Sequence, residues 1–275
     1  MNKKLLLLIL LPLSFSFSQW KTISFPSELN VQPFTANFLE ARTGAAYLFD
    51  LDKLRLDIGT SHDIVQLTSE KKTLSFGADF FTYTRLRKQN NFKFPVETID
   101  YMFGINFGYK ITEVNSRDFG FRLRISHISA HLVDGLYEAD STKWKNNRQP
   151  FVYSREFVEL FPYYRISGFR TYIGFTYLFH TLPSDFKKII LQVGADYFIE
   201  CLKTESFTPF VAYDLKLSGY SKYQATNTLN AGIKFGKPES RGFSLLFTYI
   251  SGRNVHGELY DLNEHYFTFG FNLDI

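Results

Sequence analysis

Between Phe121 and His131 the chain reads FRLRISHISAH. Two-residue alternation puts Phe121, Leu123, Ile125, His127, Ser129 and His131 on one face, and Arg122, Arg124, Ser126, Ile128 and Ala130 on the other. A histidine two residues from a serine on one strand face can take the hydroxyl proton, so Ser129 is a candidate nucleophile and His127 its base. A third group must orient the imidazole. Glu156 has the parity to lie on the same face of the following strand, and the triad logic sets no chain order. Because that face is apolar, the bond cleaved would be an acyl ester of a membrane lipid, a phospholipid or lipid A. The competing reading is a polar strand end at the membrane boundary, where His, Ser and Tyr suit the headgroup level. In it Glu156 pairs with Arg155, or with Lys143, Lys145 or Arg148.

The elements that must position these residues are strands. Ile99, Tyr101, Phe103, Ile105, Phe107, Tyr109 and Ile111 alternate against Asp100, Asn106 and Lys110, and Phe267, Phe269, Phe271 and Leu273 against Thr268, Asn272 and Asp274. Runs of about ten residues match a tilted strand crossing a bilayer, whereas strands of soluble sandwiches are nearer five or six. Such runs fall at 41–50, 53–60, 73–86, 99–111, 119–132, 151–166, 170–180, 188–199, 207–218, 226–236, 242–252 and 265–275. The pattern predicts an all-β protein, a closed antiparallel transmembrane β-barrel of about twelve strands over residues 41–275. Connections alternate between short and long in the C-terminal half, the longest being 133–150, with 219–225 also read as a longer one.

The start of the chain has a basic MNKK, an apolar run and small residues at Ser16 and Ser18, which predicts a signal peptide over 1–18 cut before Gln19. Residues 19–40 then form a periplasmic lid, a plug or a disordered lead. Formal charge falls from +4 to +2 once Lys3 and Lys4 are taken away, too little to imply a nucleic-acid partner. The sequence contains neither a zinc-type ligand spacing nor a glycine-rich phosphate loop, and no cofactor is identified. Calcium enters only under the hydrolase reading. The one cysteine, Cys201, has no partner for a disulfide within the chain. His256 and His265 with Glu258 and Asp261, and the pair His62–Asp63, read as solvated loop positions because their spacing is irregular.

The inward parity carries both signs: Arg42, Arg55, Asp57, Asp79, Arg85, Lys110, Arg122, Arg124, Asp196, Asp214, Lys216 and Lys234. Opposite charges inside a narrow barrel pair and fill it, which disfavours a wide porin.

Three blocks also carry a resemblance. His127-Ile-Ser129-Ala-His131-Leu132-Val-Asp134, Tyr153-Ser-Arg-Glu156-Phe-Val-Glu159-Leu160, and Gly252 through Gly257 to Tyr260 resemble, in order, the H-x-S-S-H-L-x-D, S-x-E-x-x-E-L and G-x-x-x-x-G-x-x-Y patterns of the bacterial family called domain of unknown function 1207. The chain departs from them at Ala130 and Val133, where the family has serine and glycine. The resemblance implies an outer-membrane barrel in the Gram-negative envelope. A thinner likeness, His127 and Ser129 alone, is to the H-x-S stretch of outer-membrane phospholipase A and the lipid A deacylases. It implies an outward-facing site oriented by a neighbouring strand.

Taken together, the sequence favours a non-porin accessory or structural subunit of an outer-membrane assembly. Its partners would be outer-membrane lipids and other outer-membrane proteins. The alternatives are a lipid-acting serine hydrolase built on Ser129, His127 and Glu156, and a narrow channel.

Overall fold

The computed structural model describes residues 20–113, 116–138 and 140–274; the predicted signal peptide lies outside them. Its strands are β1 (Lys21–Ser24), β2 (Thr43–Leu48), β3 (Lys53–Thr68), β4 (Lys72–Arg87), β5 (Val96–Glu113), β6 (Arg117–Leu132), β7 (Tyr137–Glu138), β8 (Lys143–Trp144), β9 (Tyr153–Ile166), β10 (Phe169–Leu182), β11 (Ile189–Phe198), β12 (Phe207–Tyr220), β13 (Lys222–Phe235), β14 (Gly242–Arg253) and β15 (Asn263–Asp274). β2 to β6 and β9 to β15 make twelve antiparallel strands in one sheet. β15 returns to β2, with Thr268 opposite Leu48 and Leu273 opposite Thr43, and this pairing closes the barrel. Closure satisfies the main-chain groups around the sheet and leaves no long free edge, the condition for β-structure in lipid.

Alternation sets which way each side chain points. On β6, Arg122 and Arg124 are buried, while Ile125 is 41% exposed on the outer surface. Ile173, Phe175, Phe247 and Phe267 are likewise exposed outward and form an apolar belt. A one-residue slip would place both arginines in lipid, at about 2–4 kcal/mol each near the midplane. We expect such a ladder to stay folded in SDS without boiling and to change mobility on heating. A single heat-independent band, or a helix-dominated circular dichroism spectrum, would contradict that architecture.

All twelve predicted runs coincide with strands, with several differences in length, two of which have a clear cause. The second run extends to Thr68, because β1 pairs with Val65–Thr68 and supports its far end. The connection expected at 219–225 is a one-residue turn at Ser221, whose φ of 55° lets β12 and β13 continue to Tyr220 and Lys222. The polar residues there alternate as strand rather than loop.

From β1 the chain turns into the barrel. Asn30, Phe34, Asn37 and Glu40 are buried against inward side chains. The Asn30 N–H donates to Asp63 at 2.7 Å, and the Asn230 amide donates to the Thr35 carbonyl at 2.9 Å. Arg170 donates to the carbonyls of Gln32, at 2.8 Å, and Pro33. Arg122 grips Glu40 through two hydrogen bonds, one of 2.8 Å. Phe34 sits between Phe161 and Tyr172, with ring centroids 5.1 and 4.2 Å away. Around this plug the inward charges pair as the mixed signs foretold: Arg55 with Asp57 at 2.7 Å, Arg124 with Glu159, Arg170 with Asp196, and Lys234 with Asp274.

Candidate functional site

β6, β9 and β10 lie side by side, and their outward faces meet near the end of the barrel that carries the 133–152 loop. Register places His127 directly opposite Glu156, and Ser129 opposite Ser154. His127 Nδ1 lies 2.6 Å from Glu156 Oε1. The Ser154 hydroxyl donates to the same oxygen at 2.9 Å. His127 and Glu156 side chains are each 27% exposed, so the pair is half-shielded on the outer surface. The His127 ring packs on Phe103, centroids 4.9 Å apart. With Nδ1 facing a carboxylate, the proton belongs on Nδ1 and Nε2 is left as the acceptor, the tautomer a base requires.

Sequence reasoning missed His180. Its even number places it inward, among the buried even positions of β10 such as Tyr172, Gly174, Thr176 and Leu178. A bulge between Leu178 and His180 shifts the register, so Phe179 and His180 both face outward and His180 stands opposite Glu156. His180 Nδ1 then meets Glu156 Oε2, and the carboxylate is held on both oxygens. The signal was the exposed-parity break itself, which a period-two pattern cannot display.

Ser129 shares the outward face with His127, and among the described residues its hydroxyl makes no side-chain hydrogen bond. Contacts of this kind often tighten only once substrate is bound. His131 also faces outward, beside Tyr101, with centroids 6.0 Å apart and away from Glu156. Among the described residues Glu156 pairs with His127 and His180, not with Arg155, Lys143 or Lys145. Arg148 turns instead to Asp261, at 2.9 Å, and to the Glu258 carbonyl, at 2.6 Å.

The third sequence block goes inward. The 254–262 connection dips into the barrel mouth, where His256 Nδ1 lies 2.8 Å from Asp100 and the Gly257 N–H donates to the other Asp100 oxygen at 2.6 Å. His256 and Glu258, expected in solvent, are buried. Burial lowers the His256 imidazole below its usual range and raises the Glu258 carboxyl to about 7. A Cβ on Gly257 would stand 2.4 Å from the Tyr153 ring and 2.7 Å from Ala130, so this approach needs glycine. Ala130 itself points inward and is fully buried. A serine there would add nothing to the outward cluster. Val133 has φ of −122°, extended backbone that needs no glycine.

Comparison with known proteins agrees with this architecture. No curated protein matches the sequence. Among solved structures, outer membrane phospholipase A from Escherichia coli superposes with a TM-score of 0.52 at 11% identity, covering 90% of this chain and 94% of its own. The outer membrane protein OprD from Pseudomonas aeruginosa gives 0.36 at 9% identity, over 80% and 75%. The first likeness shows the fold, an outer-membrane β-barrel. Residues 91–274 match the model of the family described as "Protein of unknown function (DUF1207)", a stretch that holds all three sequence blocks, and the chain belongs to that family.

Proposed function

We propose that this barrel is a lipid-acting serine hydrolase of the bacterial outer membrane, with Ser129 as nucleophile, His127 as general base and Glu156 as the group that orients the imidazole. The observation that carries the reading is the 2.6 Å contact between His127 Nδ1 and Glu156 on the outward face, two residues from Ser129. A buried salt bridge would explain itself by filling the lumen. This carboxylate, held by two histidines and a serine, lies instead on the outward face among Phe and Ile side chains.

In the reaction Ser129 Oγ attacks the acyl carbonyl carbon while its proton passes to His127 Nε2. The tetrahedral adduct collapses, the ester C–O bond breaks, and the leaving alcohol takes the proton from Nε2. Water, deprotonated by the same nitrogen, then releases the fatty acid and restores Ser129. Glu156 stabilises the imidazolium in both halves and fixes the tautomer between them. The substrate is an acyl ester of a lipid in the outer leaflet, because the cluster lies near the end with the long loops. Among the described residues no group of three or more His, Cys, Asp or Glu side chains is placed to hold a metal. No step is therefore assigned to it.

The likeness to a phospholipase contributes the fold alone. A channel is disfavoured by the plug and by the paired charges around it. The accessory-subunit reading rests on the aromatic belt and the 133–152 loop, features general to membrane barrels.

Glu156→Gln tests the reading. It keeps a hydrogen-bonding side chain but removes the charge, and the amide can donate where His127 must. Fatty-acid release from lipid vesicles is expected to fall by roughly 10^3-fold with little change in KM. His180→Ala, which frees only one oxygen of Glu156, is expected to cost about tenfold. Equal rates for Glu156→Gln and the unaltered barrel would remove Glu156 from the chemistry.

A further inference from the structure

The outer mouth holds a second cluster whose charges do not balance. Glu97 is almost wholly buried, yet three cations share it: Lys53 Nζ at 2.6 Å, Arg85 Nε at 3.1 Å and Arg87 Nε at 3.8 Å. Glu264 reaches Arg85 at 3.0 Å, and two carboxylates then face three cations. Lys53, Arg85, Arg87 and Glu97 form the floor of a cavity of about 560 Å³. Its roof is the 133–152 loop, whose β7–β8 hairpin brings Lys143, Trp144 and Lys145 over the opening. The Trp144 ring packs edge-on against Tyr137, centroids 5.4 Å apart, and against the Leu132–Leu136–Leu259 cluster. Arg148 closes one side, already tied to Asp261. Glu97 and Glu138 are the carboxylates among the lining residues, against six Lys and Arg.

Such a cavity suits one kind of occupant. Its volume falls in the range of small-ligand pockets, about 300–1,000 Å³. The excess cations require an anion, and guanidinium forks favour carboxylate or phosphate oxygens. A fixed indole face beside them offers a flat apolar surface of the kind a sugar ring covers. We propose that the outer mouth binds an anionic carbohydrate, a carboxylated or phosphorylated sugar unit seated between the Lys53–Arg85–Arg87 floor and the Trp144 hairpin. The sugar has two possible sources, a free acidic saccharide outside the cell or the acidic headgroup of a surface glycolipid. The site is separate from the outward cluster of His127, and it stands whether or not that cluster is catalytic.

Trp20 and Trp144 are the two tryptophans of the chain, so Trp20→Phe leaves Trp144 as the sole indole reporter. The full-length barrel carrying that change is titrated in detergent with digalacturonate and with glucose 6-phosphate, and in parallel with glucose. In a second arm it is placed in nanodiscs with and without a phosphorylated, core-bearing glycolipid. The expected result is a saturable change in Trp144 fluorescence with the acidic sugars and none with glucose, weakening as salt rises. Lys143→Gln with Lys145→Gln, on the loop, is expected to weaken binding by about tenfold, from the loss of two charges near the ligand. Occupancy by the glycolipid appears as a Trp144 signal already shifted in the glycolipid nanodiscs and unmoved by added sugar. An equal response to glucose overturns the proposal, as does no response in either arm, or unchanged affinity in the double variant.

Discussion

Ser129→Ala is expected to lower fatty-acid release from outer-leaflet lipid by on the order of 10^3-fold or more, and His127→Ala by a similar factor, because members of one catalytic unit are not additive. Both variants should keep the heat-dependent mobility of the unaltered barrel. The two side chains lie on the outer surface of β6, half-exposed, and carry no part of the inward packing. Combining them should cost hardly more than either alone. Ser154→Ala provides the contrast. Ser154 stands opposite Ser129 and donates to Glu156, but it is separated from the Nε2 side of His127 by the Nδ1 contact. A modest effect, within about tenfold, is expected there, from one lost hydrogen bond to a charged group. If Ser154→Ala is the variant that abolishes release, the nucleophile has been assigned to the wrong serine.

The second large effect concerns the plug. Arg122→Ala should destabilise the seated N-terminal segment by about 3–5 kcal/mol, since it strands the buried Glu40 carboxylate without its partner. Burial alone would raise that carboxyl, but the charge and hydrogen bonds of Arg122, with Arg124 behind it, outweigh burial and bring it down to about 2. The sign follows directly. A carboxyl lower in the folded state than its usual 4.5 stabilises the plug above about pH 4.5, and that contribution is lost as pH falls towards 2. The unaltered barrel should therefore show small, irregular conductance in planar bilayers at neutral pH. Arg122→Ala should open larger steps at the same pH, and acid should loosen the unaltered plug only below about pH 4.5. Large steady steps from the unaltered protein at neutral pH would mean the lumen is open. Unchanged conductance in Arg122→Ala would mean the plug is held elsewhere, for instance by Arg170 and Phe34.

Much of this architecture was legible in the residues. Period-two runs such as Ile99–Ile111 and Phe267–Leu273 mark strands with one lipid face, and their placement needed only alternation. The same alternation brought His127 and Ser129 together and chose Glu156 as their neighbour, because β6 and β9 are consecutive barrel strands. What stayed hidden depends on events that break the period or join distant segments. The bulge at Phe179–His180 reverses the parity of a single histidine, and no composition signal marks it. Asn30, Phe34 and Glu40 carry no strand pattern, and their place in the lumen follows from partners far along the chain, Asp63 for Asn30, Tyr172 for Phe34 and Arg122 for Glu40. The inward dip of His256 likewise depends on Asp100, 156 positions earlier in the chain. The stretch 219–225 reads as a longer connection because polar strand residues resemble a loop when read locally, although β13 begins at Lys222.

The most direct test of the hydrolase reading is covalent. The barrel, folded in lipid nanodiscs, is treated with a fluorophosphonate that carries a long acyl chain, then digested and sequenced by mass spectrometry. One adduct is expected, on Ser129, that disappears in His127→Ala and is slowed in Glu156→Gln while all three proteins remain heat-modifiable. An unlabelled Ser129 in a barrel that also releases no fatty acid from any lipid would contradict it, and would leave His127, Ser129 and Glu156 as the polar end of a strand.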